Sequence, residues 1–148
     1  MPRSLTGPAG TIVVGNLSWA MVLKLALDAG WKPRGTAPPE DFYGEVERDG
    51  YTTKQWNPRN YFSRRGQSVS EEDALAISEA LTKALQDVPD HDAVAHKVMG
   101  FIDTSLIGRF PILDPKRKVN PFEYFSGENK NRLRKFIVYC RAGGFKIV

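Results

Sequence analysis

Leu17-Ser18-Trp19-Ala20-Met21-Val22-Leu23-Lys24-Leu25-Ala26-Leu27-Asp28-Ala29 is the stretch on which the architecture turns. Wound at about 100° per residue, it leaves only Lys24 and Asp28 as a polar edge. Trp19, Val22, Leu23, Leu25, Ala26 and Leu27 cover most of the remaining circumference. A helix this apolar buries nearly every side, which predicts a central position in a helical bundle. Asn16 or Ser18 is the expected N-cap, and Gly30 supplies the left-handed stop.

Upstream, Arg3 followed by an apolar run over residues 12–29 has the outline of a signal peptide. Gly15, Asn16, Ser18 and Lys24 interrupt it and no clean small-residue cleavage pattern follows, so the run reads as part of the fold. Downstream, Pro33, Pro38 and Pro39 make residues 31–40 a connector. Residues 41–67 show no helical period but hold Phe42, Tyr43, Tyr51, Trp56, Tyr61 and Phe62. Asp49-Gly50 is a two-residue hairpin turn by its tolerance of positive φ, which predicts a short, irregular aromatic β-ribbon.

Ser70-Glu71-Glu72-Asp73 is a helix start, with a serine for the free amides and carboxylates against the positive helix end. Ala74, Ile77, Leu81, Ala84, Leu85 and Val88 then share one face to about Asp87, and Pro89 closes the helix. A third helix is expected over 92–107, an extended stretch over 110–115, and a last helix over 128–142 with Ser126 as N-cap. In that last helix Leu133, Phe136, Ile137 and Cys140 form the core stripe, Gly143-Gly144 ends it, and residues 145–148 return as a short strand. The sum is one mainly α domain spanning 1–148, about four helices around the apolar first one, with the β-ribbon on one side.

Composition narrows the chemistry. With 41% hydrophobic and 26% charged residues in 148, the chain is globular rather than disordered, collagen-like or membrane-spanning. Its net charge of +4 is unevenly spread, with residues 1–39 at +3, 40–103 at −6 and 104–148 at +7. An acidic middle and a basic end either neutralise one another by packing or leave the basic end facing an acidic partner. A single cysteine, Cys140, excludes an intramolecular disulfide and suits a reducing, cytoplasmic setting.

Catalytic and metal-binding patterns are missing from the sequence. His91 and His96 are five apart, which puts them on different helix faces, and Asp92, Asp103 and Asp114 are too spread for a calcium loop. No nucleophile elbow, Walker loop or dinucleotide fingerprint occurs, and Cys140 falls on a core face where a thiol is inert. No cofactor or metal is expected, and an enzyme would need a pair of carboxylates brought together in space. Binding residues are better represented: Tyr43, Tyr51, Trp56 and Tyr61 as aromatic contacts, and Lys116, Arg117, Lys118, Arg134 and Arg141 as cations. Buried, these aromatics would lay the ribbon onto the helices; exposed beside the cations, they would make a nucleic-acid surface.

Gly66-Gln67-Ser68-Val69 with Asp73-Ala74 and Ala80-Leu81, and the tail Phe136-Ile137-Val138-Tyr139-Cys140-Arg141-Ala142-Gly143-Gly144-Phe145, resemble segments of a family of small uncharacterised bacterial proteins. The likeness covers about half the chain and its motifs are a helix start and a helix end. It implies a bacterial cytosolic domain with an interaction role, of the immunity or accessory type, and assigns no catalytic residue. The resulting expectation is a non-enzymatic module that binds another protein, with nucleic-acid binding through the basic C-terminal surface as the alternative.

Overall fold

The computed structural model describes residues 2–40, 42, 56–88 and 124–148. Among them are three helices and a five-stranded antiparallel sheet, so the mainly α, four-helix architecture is corrected to an α+β one. In chain order these are β1 (Arg3–Gly7), β2 (Gly10–Val14), α1 (Asn16–Asp28), β3 (Thr36–Ala37), β4 (Gln67–Val69), α2 (Glu71–Leu85), α3 (Asn129–Arg141) and β5 (Phe145–Ile147). The ribbon at Asp49-Gly50, the helix over 92–107 and the extended stretch over 110–115 lie outside the described residues.

The sheet runs β2-β1-β5-β4-β3. Its centre joins the two chain ends, with Leu5 opposite Ile147 and Thr6 opposite Lys146. Arg3, Leu5, Gln67, Val69, Phe145 and Ile147 are buried on one face. Ser4, Thr6, Thr11 and Lys146 alternate onto the other, as the two-residue period of a strand requires. β3 falls inside the expected connector: despite its flanking prolines, Thr36 donates its amide to the Pro58 carbonyl at 2.7 Å and pairs with Val69.

α1 is buried from Trp19 to Ala26, including the aliphatic stem of Lys24, whose ammonium reaches Asp28 at 2.9 Å. It starts one turn-position earlier than expected, on Gly15, with no side-chain cap. The Asn16 side chain is used elsewhere, its Oδ1 accepting from Arg3 at 2.7 Å. α2 is capped as its sequence predicts: Ser70 Oγ accepts from the Asp73 amide at 3.1 Å. α3 starts from Glu128 rather than Ser126 and makes no side-chain cap bond. After α3, Gly144 passes so close to β4 that a Cβ there would collide with the Val69 carbonyl. One core includes Leu5, Trp19, Leu23, Ile77, Leu81, Leu133, Phe136 and Ile147, with Trp19 set edge-on to both Phe136 and Phe145.

Candidate functional site

Two regions gather polar or exposed apolar groups that a plain core does not need. The first is a closed cluster around Asp73, third residue of α2, whose side chain is fully buried. Its Oδ1 accepts from Trp31 Nε1 at 2.9 Å and from the Arg34 amide at 3.2 Å, and its Oδ2 accepts from Tyr61 Oη at 2.6 Å. The carboxylate sits at the positive end of α2, and no cation among the described residues is paired with it. Tyr61 Oη accepts in turn from the Gly35 amide at 2.9 Å, so both sides of the hydroxyl are used. Burial, then the hydrogen bond and charge of Asp73, raise the Tyr61 hydroxyl far above the ordinary phenol value. Burial, then the same negative charge, raises the Cys140 thiol, which makes it a poor nucleophile. With Asp73 fully buried and its oxygens bonded, the cluster is an interior brace.

The second region is an open groove of about 620 Å³ between β2 and α3. Ile12, Val14, Val22 and Phe136 line it, the backbone of β2 forms one wall, and Arg132, Lys135 and Val138 form the other. Its ends are fixed. Tyr139 Oη donates to the Gly10 carbonyl at 3.0 Å, and the rise of its pKa through burial keeps that proton in place. At the far end Tyr124 shares a 2.6 Å hydrogen bond with Ser18, and Asn129 donates to its carbonyl. α3 therefore runs alongside β2 from Asn129 near Val14 to Tyr139 at Gly10.

Two properties separate this groove from an ordinary crease. Val138, 65% exposed, stands on the groove's α3 wall, whereas Val13, 67% exposed, projects from the opposite face of β2. Arg132 and Lys135 make no hydrogen bond or ion pair among the described residues, and no acidic residue is among the groove's described lining.

The β2 backbone adds a third. Ser4 exchanges both backbone bonds with Val148, at 3.0 and 2.8 Å, so its polar groups face β5. Alternation turns those of Arg3 and Leu5 toward β2, where Val14 and Ile12 meet them. Thr11 and Val13 consequently point N–H and C=O outward along an edge that no described strand covers, while the side chains of Ile12 and Val14 drop into the groove.

The sequence-derived candidates fall elsewhere. Tyr61 is fully enclosed, which corrects its role as a stacking contact: both ring and hydroxyl are committed to the interior. Trp56 is half-buried, set edge-on to Phe42 at 5.4 Å and donating to Thr36 Oγ1. Arg134 and Arg141 are exposed on the flank of α3 turned toward α2, where Arg141 donates to Thr82 Oγ1 at 3.0 Å. They do not share the groove. Tyr43, Tyr51, Lys116, Arg117, Lys118, His91 and His96 lie outside the described residues. Among the described residues no group of three His, Cys, Asp or Glu side chains is placed to hold a metal, and no helix is long and apolar enough to cross a membrane.

No family model, curated protein or solved structure matches the chain. The residues behind the sequence resemblance have structural places here. Gln67 is buried, donating to Ser63 O at 2.6 Å; Asp73 anchors the brace; and Gly144 permits the close pass beside β4.

Proposed function

We propose that the chain is a non-enzymatic protein-interaction module that takes a segment of a partner protein into the groove between β2 and α3. The observation that carries this is the combination of the exposed Val138 with two cations, Arg132 and Lys135, that have no partner among the described residues, in a groove with no acid among its described lining. That chemistry fits a segment whose apolar side chains cover Ile12, Val14, Val138 and Phe136 and whose carboxylates meet Arg132 and Lys135. A setting in the bacterial cytosol, in an immunity or accessory role, rests on the lone cysteine and the sequence resemblance. An acid–base enzyme would need carboxylates or a histidine facing an open cavity, and this groove has neither among its described lining.

Panning a random twelve-residue phage-displayed peptide library against the intact protein tests this reading. Enrichment of peptides combining aliphatic residues with Asp or Glu, lost on the Arg132→Glu/Lys135→Glu double variant, is the expected result. Enrichment of basic peptides, enrichment indifferent to the double variant, or no enrichment beside tight, salt-dependent binding of single-stranded DNA would overturn it.

A further inference from the structure

We infer that the partner segment binds as an added β-strand, antiparallel to β2, with acidic side chains near its N-terminus and apolar ones near its C-terminus on the groove-facing side. This rests on the groove being the docking site and specifies what enters it.

The strand geometry follows from the edge. Thr11 and Val13 each offer one N–H and one C=O outward, spaced to pair with an extended chain about 4.8 Å away. β2 is Gly-Thr-Ile-Val-Val, without the lysine, proline or inward charge that commonly guards an edge strand. An added strand brings alternate side chains down beside Ile12 and Val14, into the groove, and sends the others out beside Thr11 and Val13.

The direction of the segment follows from α3. Because α3 passes Asn129 at the Val14 end and Tyr139 at the Gly10 end, Arg132 and then Lys135 precede Val138 in the direction from Val14 to Gly10. A strand antiparallel to β2 runs that same way. Its first groove-facing residues meet the two cations and its last meets Val138, which gives the segment its acidic start and apolar finish. The lack of charge on β2 would also allow a second copy of the chain to pair there. The cations decide against that occupant, since two-fold pairing brings Arg132 and Lys135 of each copy toward an uncharged strand and supplies no carboxylate.

The probe is acetyl-Glu-Thr-Glu-Thr-Val-Thr-Leu-amide carrying a fluorophore, titrated with the intact protein by fluorescence anisotropy. In the proposed pairing the threonine N–H groups face β2 and the Glu, Val and Leu N–H groups face away. N-methylation of the threonines is expected to weaken binding at least tenfold, and N-methylation at Glu and Val less than threefold. The same residues in reversed order, apolar first, should bind at least fivefold more weakly. On the protein side, Val13→Pro removes one outward N–H without touching a β1–β2 bond. It should reduce affinity comparably at an unchanged melting temperature. Arg132→Glu/Lys135→Glu, a surface change that leaves the strand edge intact, should weaken binding about tenfold.

Equal effects of the two methylation patterns, or tighter binding of the reversed peptide, overturn strand addition in this direction while leaving the groove reading standing. Failure of the probe beside successful enrichment of acidic and apolar library peptides likewise overturns only the strand geometry. Failure of both overturns both. Concentration-dependent dimerisation abolished by Val13→Pro would assign the edge to a second copy and overturn the proposed occupant.

Discussion

The interior around Asp73 and the groove beside β2 lie in one small fold and follow opposite rules. Around Asp73, a carboxylate, an indole and a phenol are buried and met by two backbone amides, and each hydroxyl, N–H and carboxylate oxygen named there has a partner. Beside β2, valines are exposed, and among the described residues two cations lack partners and no strand covers the edge. Buried polar groups are costly unless satisfied, so the first region is built for stability. Open apolar surface adds little to the isolated fold and is what the proposed binding would use. Changes in the two regions should therefore separate cleanly into effects on folding and effects on binding.

The largest effect is expected at the brace. Asp73→Ala leaves Trp31 Nε1, Tyr61 Oη and the Arg34 amide without an acceptor and removes the acid from the first turn of α2. A loss of about 3–4 kcal/mol is expected in urea unfolding, with Asp73→Asn intermediate because one oxygen still accepts. A loss below about 1 kcal/mol would mean that the cluster does not brace the fold.

Tyr61→Phe should cost about 2 kcal/mol near neutral pH, since a hydrogen bond to a buried carboxylate is lost and the Gly35 amide is left without its acceptor. It also sharpens the comparison through pH. The folded hydroxyl titrates above its ordinary value of 10.0, so the unfolded chain loses this proton first. Stability from the neutral phenol is complete below about pH 10 and is lost as pH rises beyond it. Cys140, raised from 9.0, has the same sign and begins about one unit lower. Urea midpoints measured from pH 8 to 11 should fall, and Tyr61→Phe should fall less steeply than the parent above pH 10.

The smallest effects on folding belong to the groove. Val138→Ser and Arg132→Ala should each change stability by about 0.5 kcal/mol or less, because both side chains are already in water. Thermal melts check this, and a loss above about 1.5 kcal/mol at either site would make the groove part of the core.

Sequence patterns revealed the helices better than the sheet, for identifiable reasons. The apolar circumference of α1, the Ser70 cap of α2 and the Leu133-Phe136-Ile137-Cys140 stripe of α3 are repeated, local signals. The strands are two to five residues long, too short for a period to stand out. Three of them also place a polar residue inward: Arg3 in β1 is buried with its guanidinium on the Phe62 carbonyl and Asn16, Thr36 in β3 is buried, and Gln67 in β4 is fully enclosed. Burial, with Arg64 nearby, pulls the Arg3 pKa down to about 10, a cost not visible in a hydropathy pattern. The pairing of β1 with β5 joins residues at opposite ends of the chain, which no local pattern encodes.

The site was less legible than the fold. Tyr61 has the chemistry of a stacking residue, yet its geometry is spent on Asp73 and Gly35. Arg132 and Lys135 are the same residue types as Arg134 and Arg141 on the same helix, and only the packing of α3 shows which pair faces the groove. Val13 reads in sequence as the front of the apolar run leading into α1. The missing signal was its place on an edge strand, set by the register with β1.

Amide hydrogen exchange of the free protein, read residue by residue by NMR, tests the division most directly. Ile12 and Val14, bonded into the hairpin, are expected to be protected, while Thr11 and Val13 exchange close to the unprotected rate. Protection of Thr11 and Val13 equal to that of Ile12 in the monomeric protein would mean that the edge is already closed, and the groove would then have no strand left to offer.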